Sequence, residues 1–220
     1  GGFSTPDIAE EALKEGVCDF IGIGRPTLAD PDYAKKALEN RPEDITPCIR
    51  CCMGCVGTIE KFNAAVGLRC SVNPQCNMGG YRDLAPIEKK KRVCVVGGGP
   101  AGMEAAIVLT KRGHEVTLYE KRRIGGTMNE AAFDKTIKGD IRLLIEHFAA
   151  QIKKNNINVV EEEATAEKIL AENYDAVILA TGAQAVPPKV KGADTHKSVS
   201  TVFDYASNAE NAELGDTVLI

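Results

Sequence analysis

The sequence predicts an α/β protein in which short parallel strands alternate with helices. Two stretches show the alternation: residues 1–47 run turn, helix, strand, turn, helix, and residues 93–119 run strand, glycine turn, helix, strand. Between them, residues 48–80 hold six of the eight cysteines and show no sustained periodicity. Because consecutive strands that are joined by a helix run in the same direction, we expect parallel strands on both sides of a cysteine-rich segment.

The composition excludes several classes of protein. Of the 220 residues, 44% are apolar and 26% are charged, which is ordinary for a globular chain. A net charge of −4 leaves no basic surface for nucleic acid. No apolar run approaches the roughly 18 residues that a membrane helix needs. Since no signal peptide opens the chain, we expect the cysteines to lie in a reducing cytoplasm, as ligands or buried thiols.

The first 47 residues have the rhythm of a β/α barrel. Thr5 can cap a helix whose first residue is Pro6. The apolar run 17–23 is typical of a buried parallel strand, and Asp30 and Pro31 start the next helix. We expect these two units to be the end of a (β/α)8 barrel, since a complete barrel takes eight strands and about 250 residues.

The cysteine-rich segment has the spacing of a metal site. Its four candidate ligands have the pattern C-x2-C-x3-C-x14-C: Cys48, Cys51, Cys55 and Cys70. The first three thiolates can bind one corner of an iron–sulfur cluster, and the fourth, from a later loop, completes the set. A structural zinc site usually has two C-x2-C pairs. If Cys52 is left out, the second pair is missing, so the spacing favours a cluster.

Two more cysteines leave the ligand set open. Cys52 gives C-x3-C with Cys48 and C-x2-C with Cys55, and Cys76 also competes. Zinc and unligated thiols remain alternatives to the cluster. The segment has too little apolar core to fold by hydrophobic burial, so a bound metal would have to order it.

The second half of the chain carries a complete nucleotide-binding fingerprint. Gly97, Gly99 and Gly102 form G-x-G-x-x-G between an apolar strand and a helix. The first glycine permits a tight turn, the second lets the backbone approach a pyrophosphate, and the third lets the helix pack closely on the strand. Glu120 ends the second strand, where an acid hydrogen-bonds the ribose hydroxyls.

Apolar periodicity predicts the elements around this fingerprint. The expected strands are 93–96, 115–119, 157–160 and 174–180. The expected helices are 103–112 and a longer one that carries the apolar residues of 141–152.

Two further motifs favour FAD as the occupant. Gly125 and Gly126 follow the acid closely, and this double glycine resembles the second pyrophosphate contact of the glutathione-reductase-like flavoproteins. Thr181 and Gly182 resemble the turn that passes the flavin in that family. The resemblance implies an NAD(P)H-binding domain after this point, and residues 215–220 are expected to begin it.

In the order of its parts, the whole chain resembles an internal segment of the 2,4-dienoyl-CoA reductase branch of the old yellow enzyme family. Residues 1–7 resemble the turn after the seventh barrel strand of that family, and residues 23–31 resemble its eighth strand and the helix after it. The cysteine motif, which includes Cys70-Ser-Val-Asn-Pro74, and the FAD motifs complete the order. An internal segment is also expected because the chain opens on glycine without a methionine and because residues 215–220 read as a strand just starting.

The resemblance implies a division of the chain and a set of site residues. Residues 1–47 would be the last two β/α units of an FMN barrel, 48–91 an iron–sulfur lobe with a linker, 92–214 an incomplete Rossmann-like FAD-binding domain, and 215–220 the start of the NAD(P)H domain. The implied contacts to the FMN phosphate are Gly1, Gly2, Gly24 and Arg25. The implied ligands of a 4Fe–4S cluster are Cys48, Cys51, Cys55 and Cys70. The proton donors of the family lie in the first six barrel units, so no catalytic residue is expected here.

The implied function is that of an oxidoreductase that passes electrons from NAD(P)H, through FAD and the cluster, to FMN. FMN would then reduce an activated C=C bond of an enoyl-CoA, enone or enoate. One alternative is an amine dehydrogenase of the trimethylamine dehydrogenase type. Another is an electron-transfer module like the small subunit of glutamate synthase, against which the barrel-like residues 1–47 argue. A zinc-stabilised scaffold with a degenerate nucleotide fold is a weaker option.

Overall fold

The computed structural model describes residues 2–57, 67–78, 84–186, 189–193, 196 and 198–212. The helices are α1 (Pro6–Lys14), α2 (Arg25–Ala29), α3 (Tyr33–Leu38), α4 (Pro100–Arg112), α5 (Met128–Ala131), α6 (Lys135–Lys154), α7 (Ala166–Ala171) and α8 (Val202–Ser207). The strands are β1 (Arg92–Val96), β2 (Glu115–Tyr119), β3 (Asn158–Val160) and β4 (Ala176–Leu179). Short 3-10 turns lie at Pro42–Asp44 and Ala209–Asn211.

The four strands form one parallel sheet in the order β3-β2-β1-β4. Val93 of β1 lies beside Val116 of β2 on one side and beside Ala176 of β4 on the other. The chain adds β2 and β3 on one side of β1 and then returns to add β4 on the opposite side. The predicted parallel α/β arrangement is therefore confirmed for this part of the chain, and each of its four strands lies within one or two residues of the bounds predicted for it.

One face of the sheet is buried under α4 and α6. The core there is built from aliphatic and aromatic side chains of these elements: Val95, Met103, Ala106, Ile107, Val116, Leu118, Leu144, Phe148, Ile152 and Ile157. The apolar spacing predicted for α6 places Leu144, Phe148 and Ile152 in this core. Burial of such side chains contributes about 1.5–3 kcal/mol each, and this fixes both helices to the sheet.

Local sequence explains where the two long helices begin and end. Helix α4 begins at Pro100, which has no N–H to leave unpaired, and stops at Gly113, whose φ of +108° is left-handed. Helix α6 begins after Asp134, whose carboxylate accepts from the N–H groups of Thr136 (2.8 Å) and Ile137 (3.2 Å). Thr5 stands before α1 as predicted, but its side chain makes no capping hydrogen bond.

The strand predicted at residues 17–23 is wrong. This segment forms no strand, and Val17 and Phe20 are 71% and 90% exposed. An apolar run becomes a strand only by pairing with a neighbouring strand. The strands of the sheet that the described residues form all lie after residue 91, and none of them pairs with this segment. The described part of the chain therefore does not show a barrel. After it, the Gly24 turn leads into the short helix α2.

The segment after α3 is fixed to α6 through a buried carboxylate. Lys154 Nζ lies 2.6 Å from both oxygens of Asp44, Gln151 Nε2 donates to it at 3.1 Å, and Arg41 Nη1 donates at 2.6 Å. Burial alone would raise the pKa of Asp44, but the hydrogen bonds from Lys154, Gln151 and Arg41 outweigh it and hold that pKa below its usual range.

Within the described residues, no helix is long and apolar enough to cross a bilayer.

Asp44→Asn is expected to lower the free energy of unfolding by about 1–3 kcal/mol, because it leaves a buried site with fewer acceptors and no charge. Since the pKa of Asp44 is depressed in the folded state, the stabilisation is present above the ordinary aspartate pKa of about 4 and is lost as the pH falls below it. Chemical denaturation at pH 7 measures the loss of stability in the variant, and repeating it at decreasing pH measures the pH dependence. The control is Glu39→Gln, since Glu39 also pairs with Arg41 but is exposed. Equal losses in the two variants would contradict the role of Asp44.

Candidate functional site

Two glycines of the fingerprint are required by packing. Gly97 follows β1 with a φ of +108°, and a Cβ on it would overlap the Ala180 carbonyl oxygen. A Cβ on Gly102 would overlap the Gly97 carbonyl oxygen. The start of α4 therefore lies directly against the turn that precedes it, and this turn lies directly against the end of β4.

Gly99 differs from these two glycines because the position that a Cβ would take on it is open. A Cβ on Gly99 would meet no atom within 4 Å. Gly99 is the N-cap of α4, a helix of 13 residues, so the free N–H groups and the positive end of the helix dipole face this space. The arrangement has the geometry and the polarity to hold a phosphate group close to the backbone.

Glu120 joins the glycine turn to the loop after β2. It is 8% exposed, and its two carboxylate oxygens accept from Gly98 N at 2.7 Å and from Arg122 N at 2.8 Å. Each carboxylate oxygen has two lone pairs, so the residue can still accept from ribose hydroxyls. The sequence indicated the ribose contact and missed the backbone contacts, for which the spacing carries no signal.

The double glycine packs on the fingerprint. Gly125 N donates to Gly98 O at 2.8 Å, and a Cβ on Gly126 would lie 2.9 Å from the Cα of Gly99. Both have a positive φ, +107° and +52°. Asn129 fixes the turn by donating to Ile124 O at 2.9 Å and to Gly126 O at 3.1 Å, a contact that the sequence did not indicate. The structure thus brings the two predicted pyrophosphate motifs together.

The turn after β4 lies at the same edge of the sheet as the two glycine motifs. The glycine turn 97–102, the loop at Gly125 and Gly126, and this turn at 180–182 are together called the nucleotide crevice. Ala180 N donates to Val96 O at 2.8 Å, which aligns the ends of β1 and β4. Thr181 and Gly182 follow and are exposed, and Gly182 has a φ of +72°. The strand order reverses between β1 and β4, and in open parallel sheets ligands bind outside the carboxyl ends of the strands at such a switch point.

The cysteine lobe, defined here as residues 48–57 and 67–78, brings separate cysteines towards one another. Arg69 N donates to Gly54 O at 2.8 Å, which joins the loop that carries Cys55 to the segment that carries Cys70. The pKa of the Cys48 thiol is raised, mainly by burial, and Cys70 and Cys55 act on it electrostatically. Burial also raises the pKa of Cys76, on which the same two thiols act. Cys51 is exposed, and its Sγ lies 3.3 Å from Ser71 Oγ.

These thiols have the donor chemistry that a cluster needs, since iron–sulfur clusters are held by Cys thiolates. All eight cysteines are free. In the described ranges, no three Cys, His, Asp or Glu side chains are arranged so as to hold a metal ion. A cluster ligand set from Cys48, Cys51, Cys55 and Cys70 stays a prediction.

The described residues predicted for the FMN phosphate lie before α1 and at the start of α2. Gly2 is exposed with a φ of +94°, and open space surrounds both Gly2 and Gly24. Arg25, the first residue of α2, donates from Nη1 to Cys52 Sγ at 2.8 Å. Gly1 lies outside the described residues.

A parallel sheet whose glycine turns meet at its switch point defines a dinucleotide-binding α/β protein. The chain belongs to the pyridine nucleotide-disulphide oxidoreductase family, whose model matches residues 91–220.

The chain is also similar to larger proteins over nearly all of its length. It is 42% identical to the NADH oxidase of Thermoanaerobacter brockii over 223 residues, which cover all of this chain and 34% of the oxidase. A 2-naphthoyl-CoA reductase, solved in complex with 2-naphthoyl-CoA, matches with a TM-score of 0.86 and 38% identity over 97% of this chain and 32% of that chain. Histamine dehydrogenase from Rhizobium sp. 4-9 matches with a TM-score of 0.74 and 30% identity over 86% of this chain and 28% of that chain.

These matches confirm the resemblance that the motifs indicated, to a family of flavin-dependent oxidoreductases. The chain spans about a third of the length of the proteins it matches.

Gly99→Ala and Gly102→Ala are expected to separate ligand binding from folding. Gly102→Ala forces a Cβ into the Gly97 carbonyl and should cost at least about 2 kcal/mol of stability. Gly99→Ala places its methyl group in open space and should cost less than about 1 kcal/mol, yet it should weaken FAD binding about tenfold by occupying the position of the pyrophosphate. Thermal unfolding and flavin titration measure the two effects. Unchanged FAD affinity in Gly99→Ala would argue against a phosphate at this turn.

Glu120→Gln is expected to destabilise the protein by about 1–3 kcal/mol even without nucleotide, because the amide NH₂ would face a backbone N–H where an oxygen now accepts. Glu115→Gln is the matched control, since Glu115 pairs with Lys90 and Arg92 on the surface and should contribute less than about 1 kcal/mol. Urea denaturation of both ligand-free variants measures the difference. Equal stabilities would mean that the two backbone contacts contribute nothing.

Proposed function

We propose that this chain is part of an iron–sulfur flavoprotein oxidoreductase that passes electrons from NAD(P)H, by way of FAD and a 4Fe–4S cluster, to FMN, which reduces an activated C=C bond. The observation that carries the proposal is that one chain joins a nucleotide crevice, built from three glycine motifs, to a lobe that holds six cysteines. The family match covers the crevice, and the matched reductase extends across the lobe as well.

The proposed division keeps the boundaries expected from the sequence. Residues 1–47 belong to the end of an FMN barrel, 48–91 to the cluster lobe and linker, 92–214 to the FAD-binding domain, and 215–220 to the start of the NAD(P)H domain. The barrel assignment rests on the resemblance of residues 1–7 and 23–31 to barrel segments of the old yellow enzyme family. The proposed activity belongs to a protein longer than these 220 residues, since the matched proteins are about three times as long.

Each part of the chain has a proposed task. Gly97, Gly99 and Gly126 let the FAD pyrophosphate approach the backbone, and Glu120 orients the ribose. When bound, the flavins exchange one or two electrons and the cluster exchanges one, so together they connect a two-electron donor to a two-electron acceptor. The chain supplies binding and position for this chemistry, while the acid that protonates the substrate would lie in barrel units outside these residues.

The substrate class follows from the relatives and stays a proposal. The matched reductase is named for an aromatic acyl-CoA, which agrees with the enoyl-CoA, enone or enoate class expected from the sequence. An amine dehydrogenase is the weaker alternative, because histamine dehydrogenase matches this chain at lower identity and lower TM-score than the reductase does. A pure electron-transfer module is weaker still, because the matches extend through residues 1–47.

The composition of the purified chain tests the proposal first. After anaerobic reconstitution, we expect iron and acid-labile sulfide in equal amounts, about four of each per chain. Zinc without sulfide would assign the cysteines to a structural role and leave only the nucleotide crevice as evidence of redox chemistry. Bleaching of bound flavin by NADH in the complete enzyme separates the reductase from the amine dehydrogenase.

Cys51→Ser in the complete enzyme is expected to leave FAD bound while NAD(P)H oxidation is uncoupled from enone reduction. Coupled turnover should fall at least about tenfold, because losing even an outer-shell partner of a metal site costs about that much. Stopped-flow reduction of FAD and steady-state enone reduction measure the two steps separately. Cys18→Ser, outside the lobe, serves as control. Coupled turnover at the wild-type rate in Cys51→Ser would rule out the proposed route.

A further inference from the structure

We propose that Cys52 is a positioning residue rather than a cluster ligand: its sulfur holds the Arg25 guanidinium in place for the FMN phosphate. This inference rests on the proposed function. The spacing alone leaves Cys52 open as a ligand, because it forms ligand-like intervals with Cys48 and with Cys55. In the structure Cys52 has a partner outside the lobe, since Arg25 Nη1 donates to Cys52 Sγ at 2.8 Å in a partly buried contact across 27 residues of chain.

The loop around Cys52 has an unusual backbone conformation. Cys52 has a φ of +55° and Arg50 has a φ of +50°, so two residues with side chains adopt the left-handed conformation within three positions. This conformation costs about 1–2 kcal/mol for each such residue. The Cys52 carbonyl also accepts from Gly57 N at 2.8 Å, which fixes the part of the loop that follows Cys52. This strained turn carries the Cys52 side chain whose sulfur contacts Arg25 at the start of α2.

The lobe holds α2 at a second point. Asn73 Nδ2 donates to Leu28 O at 2.9 Å, near the C-terminal end of this five-residue helix, while Cys52 holds its first residue. Asn73 lies three residues after Cys70, so both segments of the lobe, 48–57 and 67–78, contact α2. Arg25 and the Gly24 turn before it are consequently fixed relative to the lobe.

The contact leaves Arg25 suited to bind a phosphate dianion. A guanidinium has five N–H donors in a rigid fork, and the sulfur accepts from Nη1, which leaves Nη2 and Nε available for phosphate oxygens. A positively charged side chain that is already held in one geometry loses less conformational entropy on binding. Cys52 thus contributes to FMN affinity without contacting FMN, and it contributes through the phosphate group alone.

The test uses Cys52→Ala and Cys52→Ser in the holoenzyme, with iron, sulfide and two flavin affinities as readouts. Cys52→Ala should keep the iron and sulfide of the wild type but raise the Kd of FMN about threefold to tenfold, with the Kd of riboflavin, which lacks the phosphate, unchanged. Cys52→Ser should retain FMN affinity close to that of the wild type, because the hydroxyl can still accept from Arg25. Arg25→Lys should show the same selective loss of FMN affinity as Cys52→Ala.

Several outcomes would overturn the inference. Loss of iron and sulfide in Cys52→Ala, matching the loss in Cys51→Ala, would make Cys52 a ligand. Equal FMN affinity in the wild type and Cys52→Ala, or an equal loss for riboflavin, would remove the positioning role. A wild-type protein without iron and sulfide would instead refute the proposed function itself, so the two failures are distinguishable. If Cys52→Ala does not fold, the iron content and FMN affinity of Cys52→Ser still decide between ligand and positioning residue.

Discussion

The nucleotide crevice depends on the close approach of three backbone segments at the carboxyl end of β1. Gly97 lies against the end of β4, and Gly102 lies against Gly97, with no room for a Cβ at either place. These contacts align β1, β4 and the start of α4, and Gly126 then packs on the Cα of Gly99. Backbone atoms therefore position most of the crevice, and the side chains of Glu120 and Asn129 fix the loops beside it.

The remaining parts of the chain are joined to this domain by polar contacts as well as by apolar ones, since Ile49 and Val72 of the cysteine lobe pack against the core. Asp44 ties the segment after α3 to α6, Arg50 pairs with Asp140 of α6, and Arg25 contacts the cysteine lobe. Hydrogen bonds and ion pairs have strict geometry, so they fix relative position even where they contribute modest free energy. That property suits a protein whose proposed task is to keep redox centres at fixed separations.

The sequence predicted the sheet well because its signals are local. Apolar runs and glycine turns located β1 to β4, and the helical spacing of Leu144, Phe148 and Ile152 located α6. The strand predicted at 17–23 was wrong because pairing decides whether an extended apolar segment becomes a strand, and pairing is not a local property. The contacts of Glu120 with Gly98 and Arg122 were missed for the same reason, as was the bond between Arg25 and Cys52.

The fingerprint glycines do not carry equal functional information. Gly97 and Gly102 would be required in any protein that packs α4 on β1 and β4 in this way, whether or not it binds a nucleotide. Gly99 has no packing reason to be a glycine, since a methyl group there would meet nothing in the protein. A glycine beside open space, at the positive end of a 13-residue helix, suits an anionic group that approaches the backbone. The proposal of a dinucleotide at this site therefore rests on Gly99, on the turn at Gly126 that packs against it, and on the acid at Glu120.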